Sequence, residues 1–242
     1  MAVALSVVVP VKDEAENVGP LAREIDEAVR HDSAVEIIFV DDGSSDGTAA
    51  RLKQLQTDLP TLRIIQHGRN AGQSRALRTG VRAARATLVV TLDGDGQNDP
   101  ADIARVLAPF HAEGGSAQVG MVSGVRVRRR DSISKRAASA LANRFRRRML
   151  RDQSVDVGCG LKAFRRDAFL ALPYFDHMHR YLAALMLREG YEVRFVEVGH
   201  RPRLHGRSKY GVWDRFVVGI TDIAGVLWLK NRYRGAVETK EL

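Results

Sequence analysis

The hydrophobic positions in the first half of the chain fall into alternating short runs and helical stripes. Leu5 to Val11 is an apolar run rich in β-branched residues, interrupted by Ser6 and with Pro10 near its end. Asn17 to Val29 then spaces Val18, Leu21, Ile25 and Val29 along one helical face. The alternation continues, predicting strands over Val35–Val40, Leu62–Gln66 and Leu88–Leu92 and helices over Asp46–Leu55 and Gly72–Ala86. Strands that are predominantly apolar and separated by helices predict an α/β fold with a mixed, mainly parallel sheet covered on both faces. In such sheets ligands bind beyond the carboxyl ends of the strands, so the residues just after each run are informative. Here they are acidic: Lys12-Asp13-Glu14, Asp41-Asp42-Gly43-Ser44-Ser45-Asp46-Gly47, and Asp93-Gly94-Asp95-Gly96-Gln97. No segment repeats, and no Pro- or Gly-rich linker divides the chain.

Neither Gly-rich phosphate-binding motif follows any strand, so a phosphate needs another neutralising group. Asp93 and Asp95, one residue apart after the fourth strand, offer hard oxygen ligands for Mg²⁺ or Mn²⁺, with Gln97 beside them. The bland reading is an Asp-Gly turn. The single cysteine, Cys159, lies between glycines and reads as a buried structural thiol, which fits a reducing compartment. The apolar start reads as a strand rather than a secretory leader, and a cytoplasmic location is expected.

A chain of 242 residues, 45% hydrophobic and 28% charged, suits one large globular domain and excludes disordered, collagen-like and coiled-coil classes. Its net charge of +9 is local. Residues 126–151 hold eleven basic residues and one acidic residue, leaving the remainder close to neutral. Between Ser132 and Leu150, Ile133, Ala137, Leu141, Phe145 and Met149 draw an apolar stripe, flanked by Lys135, Arg136, Arg144, Arg146, Arg147, Arg148 and Arg151. This predicts a basic amphipathic helix against an anionic membrane surface. A solvated charged face is the bland alternative. Nucleic acid is disfavoured, because Phe145 is the segment's one aromatic. Phe216 to Leu229 is interrupted by Asp222 and is shorter than the roughly 20 apolar residues of a spanning helix. Trp213, Trp228, Lys230, Arg232 and Arg234 around it predict a second interfacial helix, or else a core helix closing the domain.

The ordered set Val9-Pro10-Val11-x-x-Glu14-x-Glu16-Asn17, Val40-Asp41-Asp42-Gly43-Ser44-x-Asp46-Gly47-Thr48, Asn70-x-Gly72 and Asp93-x-Asp95-x-Gln97 resembles the family 2 inverting glycosyltransferases of the GT-A (Rossmann-like) fold. Asp156-x-Gly158-x-Gly160-x-Lys162-Ala163-Phe164-Arg165-Arg166 and Arg203-x-x-Gly206-x-Ser208-Lys209 extend the resemblance to the dolichol-phosphate and undecaprenyl-phosphate sugar transferases, over residues 4–211. The resemblance implies a catalytic domain over 1–211, made of a nucleotide-sugar half (1–125), the basic helix (126–151) and an acceptor half (152–211), followed by an interfacial tail over 212–242. It implies transfer of a sugar from a nucleotide diphosphate-sugar to a polyprenyl phosphate, by a protein peripherally attached to the inner face of the cell membrane. Pro10, Lys12 and Glu14 would line the nucleotide pocket, Asp41 would bind base or ribose, and Asp42 would brace the loop. Asp93, Gly94, Asp95 and Gln97 would meet the donor, with Asp93, Asp95 and Gln97 holding the metal. Arg126, Arg203 and Lys209 would grip phosphates; Arg126, Arg136 and Ser139 would meet the acceptor phosphate. Asp95, Arg126 and Arg180 carry the catalytic expectation. The chain departs from the family at Lys12, which stands where an aromatic often precedes the acidic residue. Members acting on sugar hydroxyls often carry a Glu-Asp pair where this chain reads Phe175-Asp176-His177-Met178-His179-Arg180, and a phosphate acceptor, with its second pKa of about 6, needs no general base. Members of this branch often continue into transmembrane helices, so a small separate membrane subunit is expected to dock on the tail. The competing readings are a soluble transferase acting on a saccharide hydroxyl, a nucleotidyltransferase, and a non-catalytic membrane-binding scaffold.

Overall fold

The computed structural model describes residues 3–30, 34–112, 118–127, 146–203 and 212–235. The alternating pattern builds β1 (Leu5–Val11), α1 (Val18–Val29), β2 (Val35–Asp41), α2 (Thr48–Leu55), β3 (Leu62–Gln66), α3 (Gln73–Ala83) and β4 (Leu88–Thr91). After α4 (Ile103–His111) come β5 (Val119–Arg126), β6 (Lys162–Arg165), α5 (Arg166–Ala171), α6 (Leu182–Arg188), β7 (Glu192–Val198) and α7 (Val212–Arg232). The seven strands form one sheet in the order β3-β2-β1-β4-β6-β5-β7. Every pairing is parallel except the two made by β6, which runs antiparallel to both β4 and β5. The expected mixed, mainly parallel α/β architecture is therefore the observed one.

Alternate side chains of the same strands feed two cores. Val7, Val9, Ile37 and Phe39 pack with α1, α2 and α4 on one face. On the other, Val8, Ile38 and Val40 pack with α3, α5 and α6, and Val226 of α7 joins them. Burial on both faces explains why β1 and β2 read as nearly continuous apolar runs, broken inside only at Ser6 and Glu36.

Helix ends fall where local hydrogen bonds capture the backbone. The third helix, expected to reach Ala86, stops at Ala83 because the Arg85 amide donates to Glu36 Oε1 (2.6 Å) and the Ala86 amide to Ser6 Oγ (3.1 Å). The second begins at Thr48, whose amide donates to Asp46 Oδ1 at 3.0 Å.

The basic segment requires a correction. Residues 128–145, and with them Arg136, Ser139 and most of the expected amphipathic stripe, lie outside the described residues. Residues 146–150 are helical, but Arg146 is not one of the surface cations expected to face a membrane. It is 6% exposed, pairs with Asp152, and donates to the Ser154 carbonyl at 3.0 Å. Met149 of the expected stripe is 40% exposed, and Leu150 beside it, outside the stripe, is buried.

Candidate active site

The β1 and β2 loops are tied together by their own acidic and hydroxyl side chains. The Asp13 amide donates to Ser44 Oγ (2.8 Å), the Ser45 amide to Asp13 Oδ1 (2.8 Å), and the Glu14 amide to Thr48 Oγ1 (2.9 Å). Lys12 Nζ reaches the Gly43 carbonyl at 3.0 Å, bridging the two strand ends. Gly43 has φ +69°, and a Cβ there would stand 2.6 Å from the Arg69 carbonyl carbon, so only glycine lets the β2 and β3 loops touch.

Asp41 and Asp42 part company. Asp42 accepts from the Ala71 and Gly72 amides, both at 2.8 Å, and contacts His67 Nδ1 at 2.7 Å, holding the entry to α3. Asp41 is fully buried and accepts from the Ser44 amide (3.0 Å) and Gln66 Nε2 (3.1 Å). The Glu14 carboxylate accepts from Asn17 Nδ2 at 2.6 Å. Pro10 lies at the end of β1, where its carbonyl meets Gly94: a Cβ on Gly94 would be 3.0 Å from the Pro10 oxygen.

Past β4, Asp93 and Asp95 stand together. Asp93 Oδ1 accepts from Gln73 Nε2 (3.0 Å), and its amide donates to Asn98 Oδ1 (3.0 Å). Burial, reinforced by the neighbouring Asp95 charge and opposed by Lys162 and Arg126, pushes the Asp93 carboxyl up to about 6. Asp95 accepts from the Gln97 amide at 3.1 Å and pairs with Arg203. Gln97 is anchored to the segment after β7 by the Arg201 amide, which donates to its carbonyl at 2.9 Å. Two crowded carboxylates that repel each other, one of them drawing in a guanidinium, make a hard-oxygen set that suits a divalent cation. Among the described residues no group of three His, Cys, Asp or Glu could hold a metal ion, so such an ion would complete its shell with the Gln97 side-chain carbonyl oxygen, water and ligand oxygens.

Arg126, at the end of β5, reaches the same edge as half of a bidentate pair: Nε and an Nη sit 2.6 and 2.7 Å from the two Asp156 oxygens. Asp156 was visible in the sequence within the Asp-x-Gly-x-Gly motif but not as the group that holds Arg126. Lys209 lies outside the described residues, so the Arg203/Lys209 pair is described only at Arg203.

Arg180 faces a separate cleft of about 580 Å³, between the α3 entry and the turn before α6. Arg69, Arg75, Gln73, Asp176 and His179 line it too. Arg75 lies over the Tyr174 ring, 3.9 Å from its centroid. His179 Nδ1 is 2.8 Å from Ser74 Oγ, and burial, with the Arg180 charge adding to it, depresses the imidazole to about 3, so the ring is neutral at physiological pH. The Asp176 side chain is largely exposed, with Oδ1 accepting from the His177 amide at 2.8 Å. Sequence reasoning missed Arg69 and Arg75; the one available signal was that they flank the Asn70-x-Gly72 motif.

No helix among the described residues is long and apolar enough to cross a membrane. The glycosyl transferase family 2 model matches residues 6–172. The chain is 34% identical over 235 residues to the dodecaprenyl-phosphate galacturonate synthase of Rhizobium johnstonii, covering 95% of this chain and 68% of that protein. It is 37% identical over 214 residues to the undecaprenyl-phosphate 4-deoxy-4-formamido-L-arabinose transferase of Pseudomonas fluorescens, covering 85% of this chain but only 60% of the relative. A mannosyltransferase of Pyrobaculum calidifontis, solved with GDP-Man and Mn²⁺, superposes with a TM-score of 0.67 at 21% identity, over 98% of this chain and 66% of that one. Fold, acidic strand edge and these matches agree: the chain belongs to glycosyl transferase family 2 and has the GT-A fold.

Proposed function

We propose that this protein transfers a sugar from a nucleotide diphosphate-sugar to a polyprenyl phosphate at the cytosolic face of a membrane, with inversion at the anomeric carbon. The activities of the two polyprenyl-phosphate relatives support the acceptor class, and GDP-Man and Mn²⁺ in the mannosyltransferase support the donor class. One observation in this chain carries the reading: His179, one of two histidines lining the cleft, is buried with Nδ1 2.8 Å from Ser74 Oγ, and burial pushes its imidazole down to about 3, which leaves it a weak base for a sugar hydroxyl. A phosphate monoester arrives already anionic and asks for no base.

In this reading the nucleotide lies across the ends of β1 and β2, along Pro10, Lys12, Glu14 and Asp41. Asp93, Asp95 and Gln97 hold Mg²⁺ or Mn²⁺, which supplies charge neutralisation for the departing diphosphate. Gly94 packs against β1 and keeps that pair in place. Arg203 and Lys209 take the diphosphate oxygens, so the Arg203 guanidinium exchanges Asp95 for phosphate when the donor binds. Arg126, fixed by Asp156, and Arg136 with Ser139 orient the acceptor phosphate for in-line attack. Arg180 adds positive charge at the acceptor side. Residues 1–211 form the catalytic domain, and residues 212–242 the membrane-facing tail on which a small transmembrane subunit docks.

The exposed carboxylate of Asp176 favours a second reading, a saccharide hydroxyl acceptor with Asp176 as its base. Incubating the chain with nucleotide-sugar and either polyprenyl phosphate or a free saccharide, with products read by mass spectrometry, separates the two. Glycosylated lipid phosphate alone, with Asp176→Asn costing less than about tenfold in kcat, is the expected result. Saccharide product and a loss of 10²-fold or more in that variant would overturn it.

A further inference from the structure

Behind the cleft at the start of α3, the C-terminal helix places a carboxylate that the transfer reaction described so far does not use. Asp222 of α7 is largely buried, and its Oδ2 atom makes no hydrogen bond but stands 3.5 Å from His177 Nδ1. Burial raises the Asp222 carboxyl, the His177 and Arg180 charges pull it back down, and Asp176 pushes it up again. A carboxylate taken out of water is costly unless a cation is held beside it, and His177 is the group within reach. His177 is fixed from its own side as well. Its backbone is left-handed at φ +61°, a conformation that a non-glycine residue keeps only where the surroundings over-determine it. The His177 amide donates to Asp176 Oδ1 at 2.8 Å, its carbonyl accepts from the Arg180 amide at 3.0 Å, and Nε2 stands 3.8 Å from Asp176 Oδ2.

We infer that Asp222 is a positioning residue for the acceptor: through His177 it fixes the turn that carries Arg180 into the cleft, and so ties the shape of the cleft to the docking of α7. The inference rests on the polyprenyl-phosphate reading above and adds a residue to it. Left-handed His177 starts the single helical turn Met178–Arg180. Along that turn each side chain is committed to a different neighbour. Met178 is buried in the core, His179 Nδ1 meets Ser74 Oγ of α3 at 2.8 Å, and Arg180 lines the cleft. The turn is therefore clamped between α3, at Ser74, and α7, at Asp222. Tyr181 repeats the second clamp, since its Oη donates to the Gly219 carbonyl at 3.3 Å, one turn before Asp222. Among the described residues Asp222 stands behind the cleft wall rather than in it, so its influence on a ligand passes through His177. The outer face of the same helix exposes Ile220 and Trp228, which places the turn facing the acceptor one contact away from the element proposed to meet the membrane.

The test titrates the purified full chain with farnesyl phosphate, a short isoprenyl phosphate soluble enough to keep membrane attachment out of the result, and separately with UDP and GDP in the presence of Mn²⁺. Asp222→Asn keeps the shape of the side chain and removes its charge. His177→Asn removes the imidazole and keeps a residue that tolerates the left-handed backbone. Each variant should weaken farnesyl phosphate binding about fivefold while the Kd for the nucleoside diphosphate stays within about twofold of the parent. The double variant should bind no more weakly than either single one, because the two side chains act through one contact. Unchanged farnesyl phosphate affinity in Asp222→Asn, or additive losses in the double variant, overturns the inference and leaves the transferase reading standing. Equal losses for both ligands, or a melting temperature that falls along with them, also overturn it, because Asp222 then supports the fold and not the acceptor. A parent chain that binds UDP or GDP but no farnesyl phosphate sinks the acceptor reading and takes this inference with it.

Discussion

At Gly160 the backbone before β6 presses against the acidic pair: a Cβ there would stand 2.3 Å from Asp93 Cγ, and the Gly160 carbonyl is pinned by Thr91 Oγ1 at 2.8 Å. The backbone has no room to retreat, so the carboxylate must move. Gly160→Ala is therefore expected to cut kcat/KM by about 100-fold or more and weaken metal affinity, while circular dichroism and the melting temperature show a retained fold. A variant with near-normal turnover would mean that Asp93 can shift without consequence. Residues at this scale were unevenly legible in the sequence. Asp93 and Asp95 announce themselves because two acids one residue apart just after a buried strand have few structural uses. The Arg126–Asp156 pair did not, since 30 residues of chain separate the partners and nothing local marks either as the other's counterion. Arg69 and Arg75 look like ordinary surface cations until the fold brings Arg180 across from the turn before α6.

The elements are held in register far from the site by a second carboxylate. Glu36 on β2, 4% exposed, accepts from Ser6 Oγ of β1 (2.6 Å) and from the Arg85 amide between α3 and β4 (2.6 Å), and pairs with Arg63 of β3. Burial alone would raise its pKa, but hydrogen bonds from Ser6, the Arg85 amide and Arg63 outweigh it and leave the carboxyl below its ordinary value. A carboxyl depressed in the folded state stabilises above its unfolded pKa and loses that contribution as pH falls through the folded one. Glu36→Gln should therefore cost about 2 kcal/mol in urea melts at pH 7, with the gap to the parent closing as pH drops below about 4. A gap independent of pH would mean that shape rather than charge is what Glu36 supplies. The strands it joins were readable because a parallel strand buried on both faces is apolar at nearly every position, Ser6 and Glu36 being the polar exceptions inside β1 and β2. The antiparallel insertion of β6 between β4 and β5 was not, since periodicity says nothing of strand order or direction.

On the scale of the whole molecule, the two segments expected at a membrane meet on one side. Lys230 of α7 donates to the Leu150 carbonyl, Arg188 Nε donates to the Leu229 carbonyl at 3.1 Å, and Tyr181 Oη reaches the Gly219 carbonyl at 3.3 Å. Val226 is buried in the core beneath α7, so this helix closes the domain with one face. Its other face leaves Ile220 52% and Trp228 59% exposed, and Met149 of the neighbouring helical turn is 40% exposed. The core-helix reading of the C-terminal run thus describes one face of this helix, and the proposed membrane contact would use the other. Charge in the described part of the basic segment divides in the same way: Arg148 is exposed, whereas Arg146 is locked to Asp152. Two variants separate membrane contact from stability. Trp228→Ala with Arg148→Gln should weaken binding to anionic vesicles at low salt, the arginine alone contributing about fivefold for roughly 1 kcal/mol, with little change in melting temperature. Arg146→Gln should do the reverse, costing about 3 kcal/mol or more because it leaves the buried Asp152 carboxylate without its partner, while the folded fraction still binds vesicles. Loss of vesicle binding in Arg146→Gln at unchanged stability would return that arginine to the membrane face and break the link between its burial and its role.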